Sequence, residues 1–552
     1  MKWVLPTAFL QQLPLLAVFI IPLIQTAFGW RKVSMKSAVH FQQGTLSSSP
    51  WRVATMMTVL ILPQFCLWCL LMKGPSCLFF LLGSCFAVPV SLVSVAPILH
   101  YIPSPSVVAY IQHRFSSGKL RFWMSSLQAV ISFFVALVIL FQTSNLLTAV
   151  TSYPFALVVS LISVVSFVSV ALSGHSSVMI PTILFNLLVI FAGLGIFLYF
   201  GIEHVTSFET IFPMNYSFLD SFVSTLVGFI ICFYHLTSSP LFYQAFFPLS
   251  TIHKLRLSLI LFAVFQLFAC ILVYLTTLLF ISFLERHCSL PYSFSSMFQF
   301  IKETVAHRTE SFIVVAGLSA VLVMFLQWQL LTLGTHLWEE FLKIRLRGLS
   351  PRKQLRVIQL ILFLLTVILT LMSLAIRFLQ LPLHDFIPTA ILAIFVFCSI
   401  AAGVFACGYF FPCCNYKGAL SAFFTTLVIF SAFFYFNVAK NGFPHLNNGC
   451  LETRNSTVSH RPHHFDRIVS ILAGIPLESH PILALLTAVL ICLLVSLLTG
   501  GQDQMSLDWN LVVFPCTPLM KGRASYAKRP VVESESFRFA QQFNVRSQES
   551  PN

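Results

Sequence analysis

Two prolines with polar neighbours mark the positions of this sequence that are best suited to bind a solute. Pro63 and Pro240 each lie within or at the end of a long apolar run. A proline inside a helix removes one backbone hydrogen bond and leaves carbonyl oxygens free. Amide, imidazole and hydroxyl groups beside such carbonyls can hydrogen-bond a small molecule. The candidate substrate-binding residues are therefore Gln64, His235, Thr237 and Ser238.

A structural interpretation of the same residues stays open. Proline kinks are common in membrane helices, and serine and threonine often bond the preceding turn or a neighbouring helix. His235 alone is more typical of an interhelical hydrogen bond than of a proton relay. No Asp, Glu, Lys or Arg lies near the middle of any long apolar run, which argues against a carboxylate proton relay.

Other chemistry is weakly indicated. His460, His463, His464 and Asp466 could bind a metal ion, although a flexible polar loop is the more common reason for such a cluster. The sequence has no P-loop, no nucleophile elbow and no HExxH pair of zinc-binding histidines. We therefore expect neither an enzyme nor a resident cofactor.

The elements that must position these residues are membrane helices. Only 9% of the 552 residues are charged and 57% are hydrophobic, whereas soluble domains carry about 25% charge. Repeated apolar runs of about 18 residues or more indicate transmembrane helices. The expected fold is an all-α polytopic protein of about 13 spans, embedded in the lipid bilayer, with spans at 5–29, 53–72, 77–100, 122–150, 154–174, 178–202, 218–239, 256–284, 311–338, 357–378, 385–411, 418–438 and 480–500.

The charge distribution predicts the orientation. The net charge is +15, but the basic residues fall in short blocks between apolar runs, which is typical of topogenic charge and not of nucleic-acid binding. If the N-terminus is extracellular, the inner segments hold 22 of the 32 Lys and Arg residues. We therefore expect a multi-pass plasma-membrane protein with a cytoplasmic C-terminus. The sequence does not predict the oligomeric state.

The outer loops carry two kinds of modification signal. The two glycosylation sequons begin at Asn215 and Asn455, and both fall in loops that this topology places outside. Cys288 and Cys450 lie one in each of the two longest outer loops. Because that compartment is oxidising, we expect them to form a disulfide. The other cysteines lie mostly inside spans, where packing is the simpler role.

The span order suggests two repeats inside a single transmembrane domain, 1–500. Spans 2–6 (about 53–202) and spans 7–11 (about 218–411) would form two five-helix inverted repeats, in which the first helix of each is interrupted beside a binding site. Spans 2 and 7 carry the prolines noted above. The remainder is an extracellular loop, 439–479, and a polar tail, 501–552, which we expect to be flexible.

Residues 408–420 read Gly-Tyr-Phe-Phe-Pro-Cys-Cys-Asn-Tyr-Lys-Gly-Ala-Leu. This segment resembles a Gly-x-Phe-x-Pro stretch, with an Asn-x-x-Gly-Ala-Leu entry to the next span, in the sodium:solute symporter family, and further motifs resemble that family and in particular its monocarboxylate, multivitamin and iodide branch. Residues 106–115 resemble Ser-x-x-Glu-Tyr-Leu-x-x-Arg-Phe, with Ala109 replacing the glutamate. Residues 338–343 and 494–501 resemble the ends of two family spans. The resemblance implies sodium-driven uptake of a small organic anion or vitamin.

The chain departs from the family at the sodium site. The resemblance places the family's two adjacent hydroxyl residues of span 9 at Met324 and Phe325, which offer no oxygen ligand. The charged positions of a family stretch matching 172–186 are apolar or neutral, and an Asn-Gln pair of span 7 becomes Thr237-Ser238. We expect that family-type sodium coupling is lost, although sodium stays a candidate coupling ion.

Two functions from different classes remain. The first is a secondary-active transporter that moves a small organic solute or anion, monocarboxylate-like or vitamin-like, by alternating access. The second is a non-transporting membrane sensor or scaffold with this architecture, in which the polar tail contacts a partner.

Overall fold

The computed structural model describes most of the membrane-embedded chain. The described residues are 7–32, 41–42, 49–71, 76–102, 104–179, 187, 190–195, 198–199, 218–286, 300, 311–346, 348–379, 383–441, 477–503 and 507–513. Within these residues the chain is almost entirely helical and has no strand. The predicted all-α polytopic membrane fold is confirmed.

The first part of the chain forms eight helices. They are α1 (Thr7–Lys32), α2 (Pro50–Leu71), α3 (Ser76–Ser94), α4 (Ala96–Tyr101), α5 (Ala109–Phe115), α6 (Gly118–Thr151), α7 (Phe155–Met179) and α8 (Phe218–Thr237). The second part adds α9 (Pro240–Phe246), α10 (Ile252–Arg286), α11 (Ser311–Leu337), α12 (Pro351–Phe378), α13 (Leu383–Phe410), α14 (Tyr416–Asn441) and α15 (His480–Leu498). A π-helical turn, Trp338–Leu342, continues α11.

Among the described residues, 10 helices are long and apolar enough to cross a membrane. Together with α1 and α2 they match the predicted spans except 178–202, most of which lies outside the described residues. Asn215, Asn455, Cys288, Cys450 and the histidines of residues 460–464 also lie outside them, so glycosylation, the disulfide and the metal cluster stay predictions.

Burial separates central from peripheral helices. In the apolar windows of α11 and α13, 89% and 83% of residues are buried, whereas the fraction is 28% in α12, α14 and α15. The exposed residues of the peripheral helices are large and apolar, for example Leu490 and Leu498 on α15. Such faces are stable in contact with lipid tails. The centre of the bundle therefore lies at α11 and α13, and any buried solute site must be close to them.

A close helix pair lies beside this centre. A Cβ atom on Gly83 of α3 would collide with the Thr225 carbonyl of α8, and one on Gly228 of α8 would collide with the Phe80 carbonyl of α3. Small residues let membrane helices approach until their backbones touch. This contact fixes α8, whose C-terminal end carries the polar sequence around Pro240.

The short segments between helices meet on one face of the bundle. Arg114 of α5 donates to the Gly408 and Phe411 carbonyls at distances of 3.0 and 3.0 Å. Arg121 at the start of α6 forms a two-pronged ion pair with Glu340 in the π-helical turn, with N–O distances of 2.8 and 2.9 Å. Ser125 donates a third hydrogen bond to that carboxylate at 2.8 Å. The charge bias predicts that this face is cytoplasmic.

Candidate functional site

The helical path breaks between α8 and α9, at the position where span 7 was predicted to be interrupted. The amides of Ser238 and Ser239 both donate to the Tyr234 carbonyl, at 2.9 and 3.0 Å, which ends α8. Ser239 is extended, with φ −78° and ψ 128°, and Pro240 starts α9. The residue before a proline is disfavoured in the helical region, so Ser-Ser-Pro is a natural place to leave a helix.

Neighbouring helices supply donors to the carbonyls that the break frees. Gln128 of α6 donates to the Ser238 carbonyl at 3.2 Å, and Tyr409 of α13 donates to the Thr237 carbonyl at 2.8 Å. Trp328 of α11 donates to the Leu241 carbonyl inside α9 at 3.3 Å, which connects the first turn of α9 to α11. A buried carbonyl without a partner costs free energy, so these donors stabilise the break.

Span 2 does not break. Helix α2 runs from Pro50 to Leu71 and contains Pro63 without a non-helical residue between them. The expected interruption at Pro63 is therefore wrong. Among the described residues no side chain donates to a carbonyl of residues 59–62, so a break there would leave buried carbonyls without donors.

A cavity of about 40 Å³ lies between α2, α6, α8, α9, α11 and α13, at the level of the break. A cavity of this size has room for about three water molecules. Polar and apolar side chains share the lining, which consists of Gln64, Ile131, Ser132, Val135, Val138, Ile139, Tyr234, His235, Ser239, Leu241, Gln329, Ile391, Ile394, Phe395 and Cys398. None of these residues carries a formal charge at neutral pH, apart from the titratable His235.

Three lining residues have hydrogen-bonding atoms that no described residue satisfies. They are Nε2 of Gln64, both ring nitrogens of His235 and Oε1 of Gln329. Gln329 uses its other amide atom, Nε2, to donate to the Ser132 carbonyl at 3.1 Å. Buried polar atoms nearly always have partners, supplied by protein, water or ligand. This trio of amide and imidazole groups can therefore bind a polar solute from opposite sides of one cavity.

The other two predicted binding residues do not line this cavity. Thr237 donates its hydroxyl to the Phe233 carbonyl at 2.7 Å, and its oxygen lies 3.1 Å from the Ser238 hydroxyl. Both side chains are buried. Their hydroxyls serve local structure, as the alternative interpretation allowed. The next residue, Ser239, lines the cavity instead, because the chain turns there.

Sequence reasoning missed Gln329 and Ser132 as lining residues. Gln329 was a visible signal, since a glutamine in the middle of an apolar span is uncommon. Nothing in the sequence distinguished it from Gln327, whose side chain lies outside the lining. Gln327 and Gln329 lie on different faces of α11, and only the packing of α11 against its neighbours decides which face borders the cavity.

The two positions that the resemblance assigns to sodium ligands lie in the apolar core. Met324 and Phe325 are exposed by only 4% and 0%, and they pack in the main hydrophobic cluster. Neither side chain carries an oxygen atom, and Na⁺ prefers oxygen ligands. The loss of a family-type sodium site therefore stays a prediction, and the apolar packing of these two side chains is compatible with it.

A smaller cavity of about 10 Å³ lies beyond the break, towards the Arg121–Glu340 pair. Its lining includes Pro240, Gln244 and His336. Gln244 donates its amide to the Thr335 hydroxyl, which connects α9 to α11. The two cavities flank the first turn of α9, which Pro240 lines on one side and Leu241 on the other.

No protein-family profile and no curated protein sequence matches this chain. Solved structures do. The chain is similar to a Na⁺-coupled sialic acid symporter in a substrate-bound, outward-open state, with a TM-score of 0.66 and 14% identity, over 89% of this chain and 99% of the symporter.

A second similar structure is Mhp1, a nucleobase-cation-symport-1 family transporter in a closed conformation with bromovinylhydantoin bound. Its TM-score is 0.50 and its identity 10%, over 86% of this chain and 98% of Mhp1. The chain has the fold of secondary transporters. At these identities the likeness concerns the fold alone, and the site must be argued from this chain's own residues.

Proposed function

We propose that this protein is a secondary-active transporter that moves a small organic solute through the central cavity by alternating access. The observation that carries the proposal is the unsatisfied trio of Gln64, His235 and Gln329 in a buried cavity at a helix break. In transporter folds, broken helices near the membrane midplane form the substrate site. The resemblance to the sodium:solute symporter family supports the same assignment.

The lining favours an uncharged polar solute over an anion. Burying a carboxylate without a cation is costly, and no Lys or Arg lines the described cavity. Amide and imidazole groups can bind a carbonyl, hydroxyl or amide of a neutral molecule, while the isoleucine and valine side chains contact its apolar part. A monocarboxylate would bind here together with a proton or another counter-ion.

Sodium coupling at the family position is not part of the proposal. Met324 and Phe325 give Na⁺ no oxygen ligand. We expect solute flux that does not depend on a sodium gradient.

Helix contacts support two inverted repeats. Spans 3 and 7 (α3 and α8) pack together, and so do spans 2 and 8 (α2 and α10). Spans 2 and 7 are the first helices of the two proposed repeats, and spans 3 and 8 are the second helices. The contact between spans 3 and 7 is therefore equivalent, by the proposed repeat symmetry, to the contact between spans 8 and 2.

The orientation, with an extracellular N-terminus, predicts glycosylation at Asn215 and Asn455 and a disulfide between Cys288 and Cys450. Sequon-removal variants and non-reducing gels test these.

Uptake into proteoliposomes tests the transport proposal. The purified chain is assayed with radiolabelled neutral amides, nucleobases, monocarboxylates and vitamins, each with and without a sodium gradient. We expect uptake of at least one neutral polar solute, equal under both conditions. Uptake that requires a sodium gradient would contradict the prediction that the sodium site is lost. No uptake of any solute, together with a specific partner of the tail, would favour the sensor or scaffold.

A variant pair links uptake to the cavity. Gln64→Leu removes one hydrogen bond to the solute, worth about 1–2 kcal/mol, and should reduce uptake efficiency about 5-fold to 30-fold. Gln142→Leu changes a buried glutamine of α6 outside the cavity and should leave uptake unchanged. Equal effects of both variants would exclude the cavity as the substrate site.

A further inference from the structure

Three cysteines from separate parts of the chain converge away from the solute cavity. Cys407 lies near the end of α13, Cys414 lies in the turn before α14, and Cys492 lies in α15. All three are fully buried, and their sulfur atoms lie within 4.8 Å of one another. We propose that Cys407, Cys414 and Cys492 form a three-thiolate binding site for Cu(I).

The geometry and the ligand type suit a soft metal ion. Thiolates select Cu(I), zinc and iron–sulfur clusters over hard cations. Metal–sulfur bonds of about 2.3 Å place three sulfurs around one ion at separations of about 4 Å, close to the spacing here. Zinc sites are almost always four-coordinate, and no fourth His, Cys, Asp or Glu among the described residues joins this cluster. Three sulfurs without a fourth ligand match the coordination preference of Cu(I).

A buried arginine supplies an independent reason to expect negative charge here. Arg114 is exposed by 1%, and its donors reach only backbone carbonyls, those of Gly408, Phe411 and Pro412. Its Nη1 has no partner among the described residues, and no described carboxylate pairs with it. Arg114 bonds the Phe411 and Pro412 carbonyls, which lie in the same turn as Cys414. A buried cation without a counter-charge is costly, and an anionic metal–thiolate cluster would offset it.

The start of α14 adds a second source of positive potential. Cys414 precedes Tyr416, the first residue of α14, by two positions. Asn415 accepts a hydrogen bond from the Gly418 amide at 2.9 Å, which caps this helix end. The N-terminal end of a helix carries partial positive charge and favours thiolates.

The reaction balances without any oxidant. One Cu(I) ion replaces three thiol protons, so three S–H bonds break, three Cu–S bonds form and three protons leave. The cluster then carries a charge of −2, of which Arg114 offsets one unit. Bound copper would tie the turn at residues 411–415 to α13 and α15. That turn already binds α15 through the Asn415 amide nitrogen and the Thr499 hydroxyl, which are 2.8 Å apart.

Metal binding to the full-length protein in detergent tests the site. The purified chain is loaded with Cu(I) under ascorbate, with bicinchoninate as the competing chelator, and its copper content is measured. We expect one retained Cu(I) per chain and a higher melting temperature. X-ray absorption should show sulfur neighbours only, at about 2.3 Å. Nitrogen or oxygen neighbours, preferential retention of Zn(II), or a disulfide between two of Cys407, Cys414 and Cys492 in a non-reducing peptide map would overturn the proposal.

Two triple variants separate this cluster from the remaining thiols. Replacing Cys407, Cys414 and Cys492 by serine should abolish copper retention. The matched control replaces Cys85, Cys232 and Cys270, which lie around Gln266 and outside the cluster. The control should keep its copper, and loss from both variants alike would contradict the assignment. If the first variant does not fold, the single change Cys492→Ser and the absorption spectrum of the unaltered chain decide.

Discussion

Helix α2 and the α8–α9 segment carry the same sequence signal and respond to it differently. Each has a proline beside polar residues, yet α2 passes through Pro63 as one helix, whereas the chain leaves the helix at Ser239. The difference lies in the surroundings. Around the α8–α9 break, Gln128 and Tyr409 donate to freed carbonyls. No described side chain does so at residues 59–62. A proline permits a break, and donors from neighbouring helices make it stable.

The comparison predicts its largest effect at Gln128. This side chain donates to the Ser238 carbonyl and accepts from the Tyr234 hydroxyl at 2.5 Å. Gln128→Leu leaves both buried groups without a partner, at about 1–3 kcal/mol for each. We expect a large fall in melting temperature, measured on the purified protein in detergent.

Gln142 is the matched control for this change. It lies on the same helix and is buried, but neither of its amide atoms has a partner among the described residues. Gln142→Leu should therefore be neutral or stabilising. If both variants melt alike, the donors do not explain the break.

Tyr409 should show the next largest effect. Tyr409→Phe removes only the donor to the Thr237 carbonyl and leaves the ring in place, so we expect a loss of about 1–3 kcal/mol in stability. Tyr435→Phe, at a residue that is 68% exposed, should change the melting temperature by less than a degree or so. A Tyr409→Phe protein as stable as its control would show that this carbonyl needs no protein donor.

Replacing either proline by alanine should change stability less than the loss of Gln128 or Tyr409. Pro63→Ala restores one helical hydrogen bond in α2 and should stabilise the protein by about 1 kcal/mol or less. Pro240→Ala should leave the break intact, because the donors to its carbonyls remain. Structures of both variants provide the measurement. A continuous helix through residue 240 would mean that the proline, and not its surroundings, sets the break.

The smallest effect on stability is expected at the cavity residues. Gln64 and His235 make no side-chain hydrogen bond to the described protein at the atoms that face the cavity. Gln64→Leu and His235→Phe should therefore change stability by less than about 1 kcal/mol while they reduce uptake. A stability loss equal to that of Gln128→Leu would show that these residues stabilise the fold and do not bind solute. Polar residues with protein partners hold the break, and the partnerless residues that line the cavity are the ones left to bind solute.

The sequence alone determined the class of this protein and the location of its spans. Hydrocarbon permits only helices or closed barrels, and apolar runs of about 18 residues or more fit helices, so length and apolarity were sufficient to place the spans. The sequence also indicated the region of the break and two of the cavity residues, Gln64 and His235. These predictions rest on local chemistry that does not depend on the neighbouring helices.

Only the tertiary structure decided which polar groups meet. Thr237 bonds a backbone carbonyl and Ser238 contacts the Thr237 hydroxyl, while Ser239 and Gln329 line the cavity. The rotation of each helix is set by packing and not by its own sequence. The same holds for Cys407, Cys414 and Cys492, which looked like separate packing residues along the chain. Donors and ligands from distant helices are long-range properties, and nearly uniform apolar spans carry little periodic signal to predict them.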